Sequence, residues 1–164
     1  MPSTIPCLWF DGNAEDAANY YVSVFPNSRI GTIQRYPEDN PFPSGFAAGT
    51  ALTVEFELDG QPYVGLNGGP EFTFSEAISF QIVVADQDEL DHYWDGLTDG
   101  GEPGPCGWLK DRFGLSWQVL PKLFLDLMES GDQARGHRAM QAVLEMHKPD
   151  IAEIQRAADA VPAD

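Results

Sequence analysis

Ile5-Pro6-Cys7-Leu8-Trp9-Phe10-Asp11-Gly12-Asn13-Ala14-Glu15-Asp16-Ala17-Ala18-Asn19-Tyr20-Tyr21-Val22-Ser23-Val24 is the stretch from which the architecture can be read. Residues 5–10 form a short apolar run that stops at Asp11-Gly12, the pattern of a strand. Asn13 stands where a helix N-cap belongs, with Asp16 three residues on in a variant of the capping box. Ala17, Tyr20, Tyr21 and Val24 follow at helical spacing, and Pro26-Asn27 ends the helix.

The same pattern returns at an offset of 73 residues, which carries Ala17 onto Leu90. Residues 78–84 are apolar, Asp86 is a cap, and Glu89 sits three residues beyond it. Leu90, Tyr93, Trp94 and Leu97 repeat the stripe of the first helix, and Gly100-Gly101 closes the second. Each helix is followed by strand-like segments. In the first copy these are 29–36, 52–58 and, after the Asp59-Gly60 turn, 63–67. Alternation along 52–58 places Leu52, Val54, Phe56 and Leu58 on one face and Thr53, Glu55 and Glu57 on the other. In the second copy, 102–109 and 115–120 flank the turn Lys110-Asp111-Arg112-Phe113-Gly114. The fold class is therefore α+β, built from paired βαβββ modules at about 3–70 and 76–121, with a helical C-terminal extension over 122–164.

In that extension, Leu123, Phe124, Leu127 and Met128 form one stripe before Gly131. Asp132 can cap a helix carrying Met140, Val143, Leu144 and His147, and Asp150 one carrying Ile151, Ile154, Ala158 and Val161. These stripes must dock either on the chain's own sheet or on a partner subunit. The segment 37–49, with three prolines, Phe42 and Phe46, is too long and rich in breakers for a tight turn.

Composition limits the functional classes. The chain has 164 residues, enough to bury a core without staples. Its net charge of −17 opposes nucleic acid and anionic membranes, which are bound through Lys and Arg. No 18-residue apolar run and no basic, then apolar, N-terminal segment is present, so a cytoplasmic location is expected. Cys7 and Cys106 are too few for a disulfide scaffold. His92 is expected to face solvent, and His137 and His147, ten residues apart on one expected helix, would be about 15 Å apart, too far to share an ion.

Phe10-Asp11-Gly12-Asn13-Ala14-Glu15, Tyr20-Tyr21, Phe25-Pro26-Asn27-Ser28 and the run Cys106-Gly107-Trp108-Leu109-Lys110-Asp111-Arg112-Phe113-Gly114-Leu115-Ser116-Trp117-Gln118 resemble one known group. That group is the PhnB-like branch of the vicinal oxygen chelate (glyoxalase/bleomycin-resistance/dioxygenase) superfamily, whose bacterial members often carry the name 3-demethylubiquinone-9 3-methyltransferase. The resemblance covers residues 3–121. It implies a homodimer and sheets that curl around a small-molecule cavity. Metal-using relatives line that cavity with four His, Glu or Gln side chains, one from the first and last strand of each module. Carried over, these positions fall near Pro6, near Gly65, among Ser79, Phe80 and Gln81, and on Gln118. Proline, glycine and an amide are poor ligands, so no metal and no other cofactor is expected.

Glu55 is the candidate general base of a metal-free enzyme, and Asn67, Phe80, Cys106, Trp108 and Gln118 are candidate ligand-binding residues. The alternative is a non-catalytic dimer that sequesters its ligand. Methyl transfer from S-adenosylmethionine is a third reading. It is opposed by the turn Asp11-Gly12-Asn13, which lacks a glycine-rich phosphate cradle, and by Gly68-Gly69 and the glycines of 100–107, which join no strand to a helix.

Overall fold

The computed structural model describes residues 2–41 and 45–160. Phe42 and Val161, expected above to belong to a proline-rich loop and to the last helical stripe, lie outside the described residues. The chain divides into two units, Met1–Phe74 and Ser75–Asp164.

The first unit runs β1 (Cys7–Phe10), α1 (Ala14–Val24), β2 (Arg29–Arg35), β3 (Ala51–Leu58) and β4 (Gln61–Asn67). Its sheet has the order β1-β4-β3-β2, with β1 parallel to β4 and the other pairs antiparallel. Helix α1 buries Ala17, Tyr21 and Val24 of the stripe that the sequence spacing predicts, with Ala14 and Ala18 beside them, while Tyr20 is only half-buried. The Tyr21 ring stacks on Phe56, and Phe56 in turn on Tyr63, so β3 and β4 present their apolar residues to this helix. Two local expectations change. Asn13 makes no side-chain capping bond; instead Asn67, from the far end of β4, accepts the Ala14 N–H at 3.0 Å. Alternation along β3 also slips at its start. The β2–β3 register jumps from Gln34–Thr53 to Arg35–Ala51, leaving Leu52 without a partner across β2. Ala51, at 3% exposure, takes the buried place that alternation assigns to Leu52.

The second unit repeats the plan as β5 (Phe80–Val84), α2 (Gln87–Thr98), β6 (Glu102–Pro103), β7 (Trp108–Lys110) and β8 (Ser116–Pro121). The sheet order is β5-β8-β7-β6. Here the cap is local as expected: Asp86 accepts the Glu89 N–H at 3.0 Å and Glu89 reaches back to the Ala85 N–H at 2.8 Å. Leu90, Trp94 and Leu97 are buried beneath α2. Burying leucines such as Leu90 and Leu97 is worth about 1.5–3 kcal/mol each.

The single strand expected over 102–109 is two short strands. Pro103 and Pro105 remove ladder donors, while Cys106 (φ 57°) and Gly107 (φ 81°) turn the chain out of the sheet. The 73-residue offset also loses its parity in the strands. Leu8 and Phe10 are buried on the helix side of β1, yet Phe80, the offset partner of the exposed Cys7, is the residue that packs on buried Trp117.

Three helices complete this unit: α3 (Lys122–Glu129), α4 (Gln133–Leu144) and α5 (Ile151–Asp159). Asp132 and Asp150 cap α4 and α5 as expected. Phe124, Leu127, Ala139, Val143, Ile154 and Ala158 form their shared core. Met128 and Leu144, counted above in the apolar stripes, are instead 45% and 60% exposed. His147 lies beyond the end of α4 and not on it, because the helix stops at Leu144 and the chain turns toward the sheet. The helices dock on their own unit. Lys148 bridges Asp91 (2.8 Å) and Asp95 (3.0 Å) of α2. Gln87 accepts the Ile151 N–H at 3.0 Å.

Candidate binding pocket on the second sheet

Strand β8 sorts its side chains onto two faces. Trp117 and Val119 turn toward α2 and are buried; Ser116 and Gln118 turn the other way. Trp117 is held by Asp111, which accepts its indole N–H at 2.8 Å and the backbone N–H groups of Phe113 and Leu115. The hairpin register is therefore fixed by a buried carboxylate. Across the open face, Lys110 pairs with Ser116 and with Glu102, and Trp108 pairs with Gln118. Glu76, from the segment before β5, completes the rim with an ion pair to Lys110 at 2.5 Å.

These groups enclose a pocket of about 430 Å³ whose lining includes Glu76, Glu102, Gly104, Trp108, Lys110 and Ser116. The hydrogen bond from Lys110 holds the Glu76 carboxyl below the usual carboxylate range and raises Lys110 in turn. Ser116 is 1% exposed. Among the described residues its hydroxyl is a buried side-chain oxygen without a hydrogen-bond partner. The Lys110 ammonium is engaged by Glu76 and does not reach that hydroxyl, so the pair does not form a nucleophile–base couple.

The wall at Gly104 is braced by the C-terminal segment. Cys106 N–H donates to Met146 O at 2.7 Å, Gly107 N–H to His147 O at 2.9 Å, and His147 Nδ1 meets Gly104 O at 2.9 Å.

The residues expected from sequence separate accordingly. Trp108 lines the pocket. Gln118 lies beside it, donating to Ser79 Oγ at 2.8 Å and facing Gln81. Phe80 stands on the α2 side against Trp117, and Cys106 packs on the core of the C-terminal helices. In the first unit Asn67 is fully buried. Its Nδ2 donates to Ala51 O at 2.8 Å, its Oδ1 holds the start of α1, and its carbonyl accepts the Tyr36 hydroxyl. Glu55 is exposed on the open face of the first sheet. It lines a hollow of about 260 Å³ with Arg29, Gly31, Glu57 and Val64, where Arg29 pairs with Glu57. Glu76, Glu102, Lys110 and Ser116 were not anticipated. Stepping back two residues from Gln118, and pairing across the 110–114 turn, is the signal that finds Ser116 and Lys110.

The ligand set of metal-using relatives does not fit. In the first unit, a side chain at Gly65 would meet Ala14 of α1 at 3.3 Å, so this position faces the helix, and its open-face neighbours are Val64 and Leu66. In the second unit the corresponding open-face pair is Gln81 and Gln118. Among the described residues no group of three or more His, Cys, Asp or Glu side chains is placed to hold a metal ion.

The family described as 3-demethylubiquinone-9 3-methyltransferase matches residues 2–120. The chain belongs to this family. It is a PhnB-like member of the vicinal oxygen chelate superfamily, as the two βαβββ modules also show. A PhnB protein from Bacillus cereus is 30% identical, with a TM-score of 0.64 over 73% of this chain and 99% of its own. The PA1353 protein from Pseudomonas aeruginosa shares the fold at 18% identity, with a TM-score of 0.61 over 74% of this chain and 98% of its own. No functionally curated protein matches the chain. Among the described residues, no helix of this PhnB-like protein is long and apolar enough to cross a membrane.

Proposed function

We propose that this PhnB-like protein binds a small organic molecule in the pocket on its second sheet, without the help of a metal ion. The observation that carries this reading is the buried Ser116 hydroxyl, unpartnered within the protein, at a pocket of ligand size. An unsatisfied buried hydroxyl costs about 1–3 kcal/mol, and because this one is shielded from solvent, a ligand's polar atom removes the penalty only where binding opens a path to it. Trp108 supplies a flat apolar wall beside it. The lining holds no activated nucleophile, which favours capture of the ligand over covalent chemistry on it. Methyl transfer, the activity in the family's description, gains no support from either strand–helix turn. Asp11-Gly12-Asn13 and Ala85-Asp86 lack the glycine-rich cradle of a nucleotide-binding sheet.

A second reading rests on Glu55. Among the described residues its carboxylate has no hydrogen bond, and it stands at the 260 Å³ hollow of the first sheet, as a general base in a metal-free reaction would. We also infer a cytoplasmic homodimer. Exposed Ile5 and Phe72 in the first unit, and Ile78 and Val83 in the second, supply apolar surface for a partner. Sedimentation showing only an 18.0 kDa species at micromolar concentration overturns the dimer.

A fragment mixture added to ¹⁵N-labelled protein tests the main reading. Binding should move the Trp108 indole signal and the amides of 108–116, and the shifts should be lost in Trp108→Ala. Fragments that stabilise the protein while leaving those signals still would refute the assignment of the pocket. S-adenosylmethionine moving them strongly would restore methyl transfer.

A further inference from the structure

The charges around the pocket are unequal, and their arrangement selects a ligand. Three ionisable groups line it: Glu76, Glu102 and Lys110. Glu76 already neutralises Lys110 through their 2.5 Å ion pair. The Glu102 side chain, on β6 directly across from Lys110, makes no hydrogen bond or ion pair among the described residues, although Lys110 feels its charge. One negative charge is therefore left over at the mouth. The half-buried Trp108 ring and the unpartnered Ser116 hydroxyl belong to the same lining.

We propose that the pocket selects a small planar nitrogen base in its protonated form, with Glu102 as counter-ion, Trp108 as stacking wall and Ser116 as the polar anchor. The assignment rests on the pocket reading given above and deepens it. A planar cation gains from the ring face and from the excess of two carboxylates over one ammonium together. An anion of the same shape meets two carboxylates, and it can reach Lys110 only by displacing Glu76. The overall charge of −17 acts in the same direction by concentrating cations near the surface.

Three isosteric probes separate the possibilities: benzamidine (cationic), benzamide (neutral) and benzoate (anionic). Each is titrated into the full chain while the Trp108 indole signal and the amides of 110–116 are followed. Benzamidine should bind at least fivefold more tightly than benzamide, and benzoate should give no saturable shift. Glu102→Gln, at an exposed position and with its fold checked by circular dichroism, should erase the preference while leaving benzamide within twofold. Ser116→Ala should weaken both benzamidine and benzamide. Equal binding of benzamidine and benzamide, or tighter binding of benzoate, overturns the charge selection and leaves the pocket standing. If fragments from the mixture move the pocket signals but benzamidine does not, the ligand class is wrong. If nothing moves them, the pocket reading falls with it.

Discussion

Replacing Asn67 by alanine should cost this protein far more than replacing Asn13, although Asn13 is the residue that the sequence pattern marks as the cap. The Asn67 amide is fully buried and serves two backbone groups that are buried themselves. It accepts the Ala14 N–H at 3.0 Å and donates to Ala51 O at 2.8 Å. Truncation orphans one donor at the start of α1 and one acceptor at the bulge of β3. Each orphan costs about 1–3 kcal/mol, so Asn67→Ala should lose about 2–6 kcal/mol. At roughly 2–4 °C per kcal/mol for a chain of this length, the melting midpoint should fall by about 4–24 °C. Asn13→Ala removes no capping bond and should stay within about 0.5 kcal/mol. Chemical denaturation of both variants, with hydrogen exchange read at the Ala14 amide, supplies the comparison. Equal losses in the two variants, or an unchanged Ala14 exchange rate in Asn67→Ala, would refute the reasoning.

Asp111→Ala leaves the Trp117 indole N–H and two backbone donors without their acceptor, and should destabilise by about 2–4 kcal/mol in a urea titration. Ile154→Ala, at a fully buried position in the core of the C-terminal helices, should cost about 2–5 kcal/mol by the same measurement. Ser116→Ala should leave the ligand-free protein equally stable or more stable, since it deletes a buried hydroxyl that no protein group satisfies; a loss above about 1 kcal/mol contradicts that. The Glu76–Lys110 pair makes a prediction about pH. The folded pKa of Glu76 is depressed, so its contribution is complete above the unfolded value of about 4.3 and is lost as pH falls through the lowered folded value. The melting-point deficit of Glu76→Gln relative to wild type should therefore be present at pH 6 and shrink as acid is added below the ordinary carboxylate range. Taking the difference cancels the general effect of the large net charge, and a deficit that grows with acidity refutes the pairing.

What could be read from the sequence was what local chemistry decides. Asp86 with Glu89, Asp132 and Asp150 cap helices through bonds to residues three positions away, so their spacing is enough. The stripes of α1 and α2 were equally plain, because period and burial coincide. What could not be read depended on partners distant in the chain. Asn67 caps α1 from 53 residues away. The displacement of Leu52 depends on a bulge against β2, and the end of α4 on a backbone meeting with Cys106 and Gly107. The pocket suffered most. The resemblance leaves the first-strand position of the second module open among Ser79, Phe80 and Gln81, and of these Phe80 packs on the α2 side against Trp117. Trp108, which lines the pocket, lies on a motif. Glu76 and Glu102 come to the rim from separate segments and carry no motif of their own.

The hydrogen bonds of the clamp between residues 106–107 and 146–147 are made by main-chain atoms, apart from the His147 ring, with Cys106 and Met146 packed beside them on the helical core. Side-chain scanning along 146–147 will therefore miss most of it, whereas a deletion or a one-residue insertion there should loosen the Gly104 wall and alter ligand preference from a distance. The family match stops at residue 120, so this support is an addition to the shared architecture. Relatives without the three helices must steady the equivalent loop by other means, and grafting the extension onto one of them offers a way to retune its pocket without touching a single lining residue.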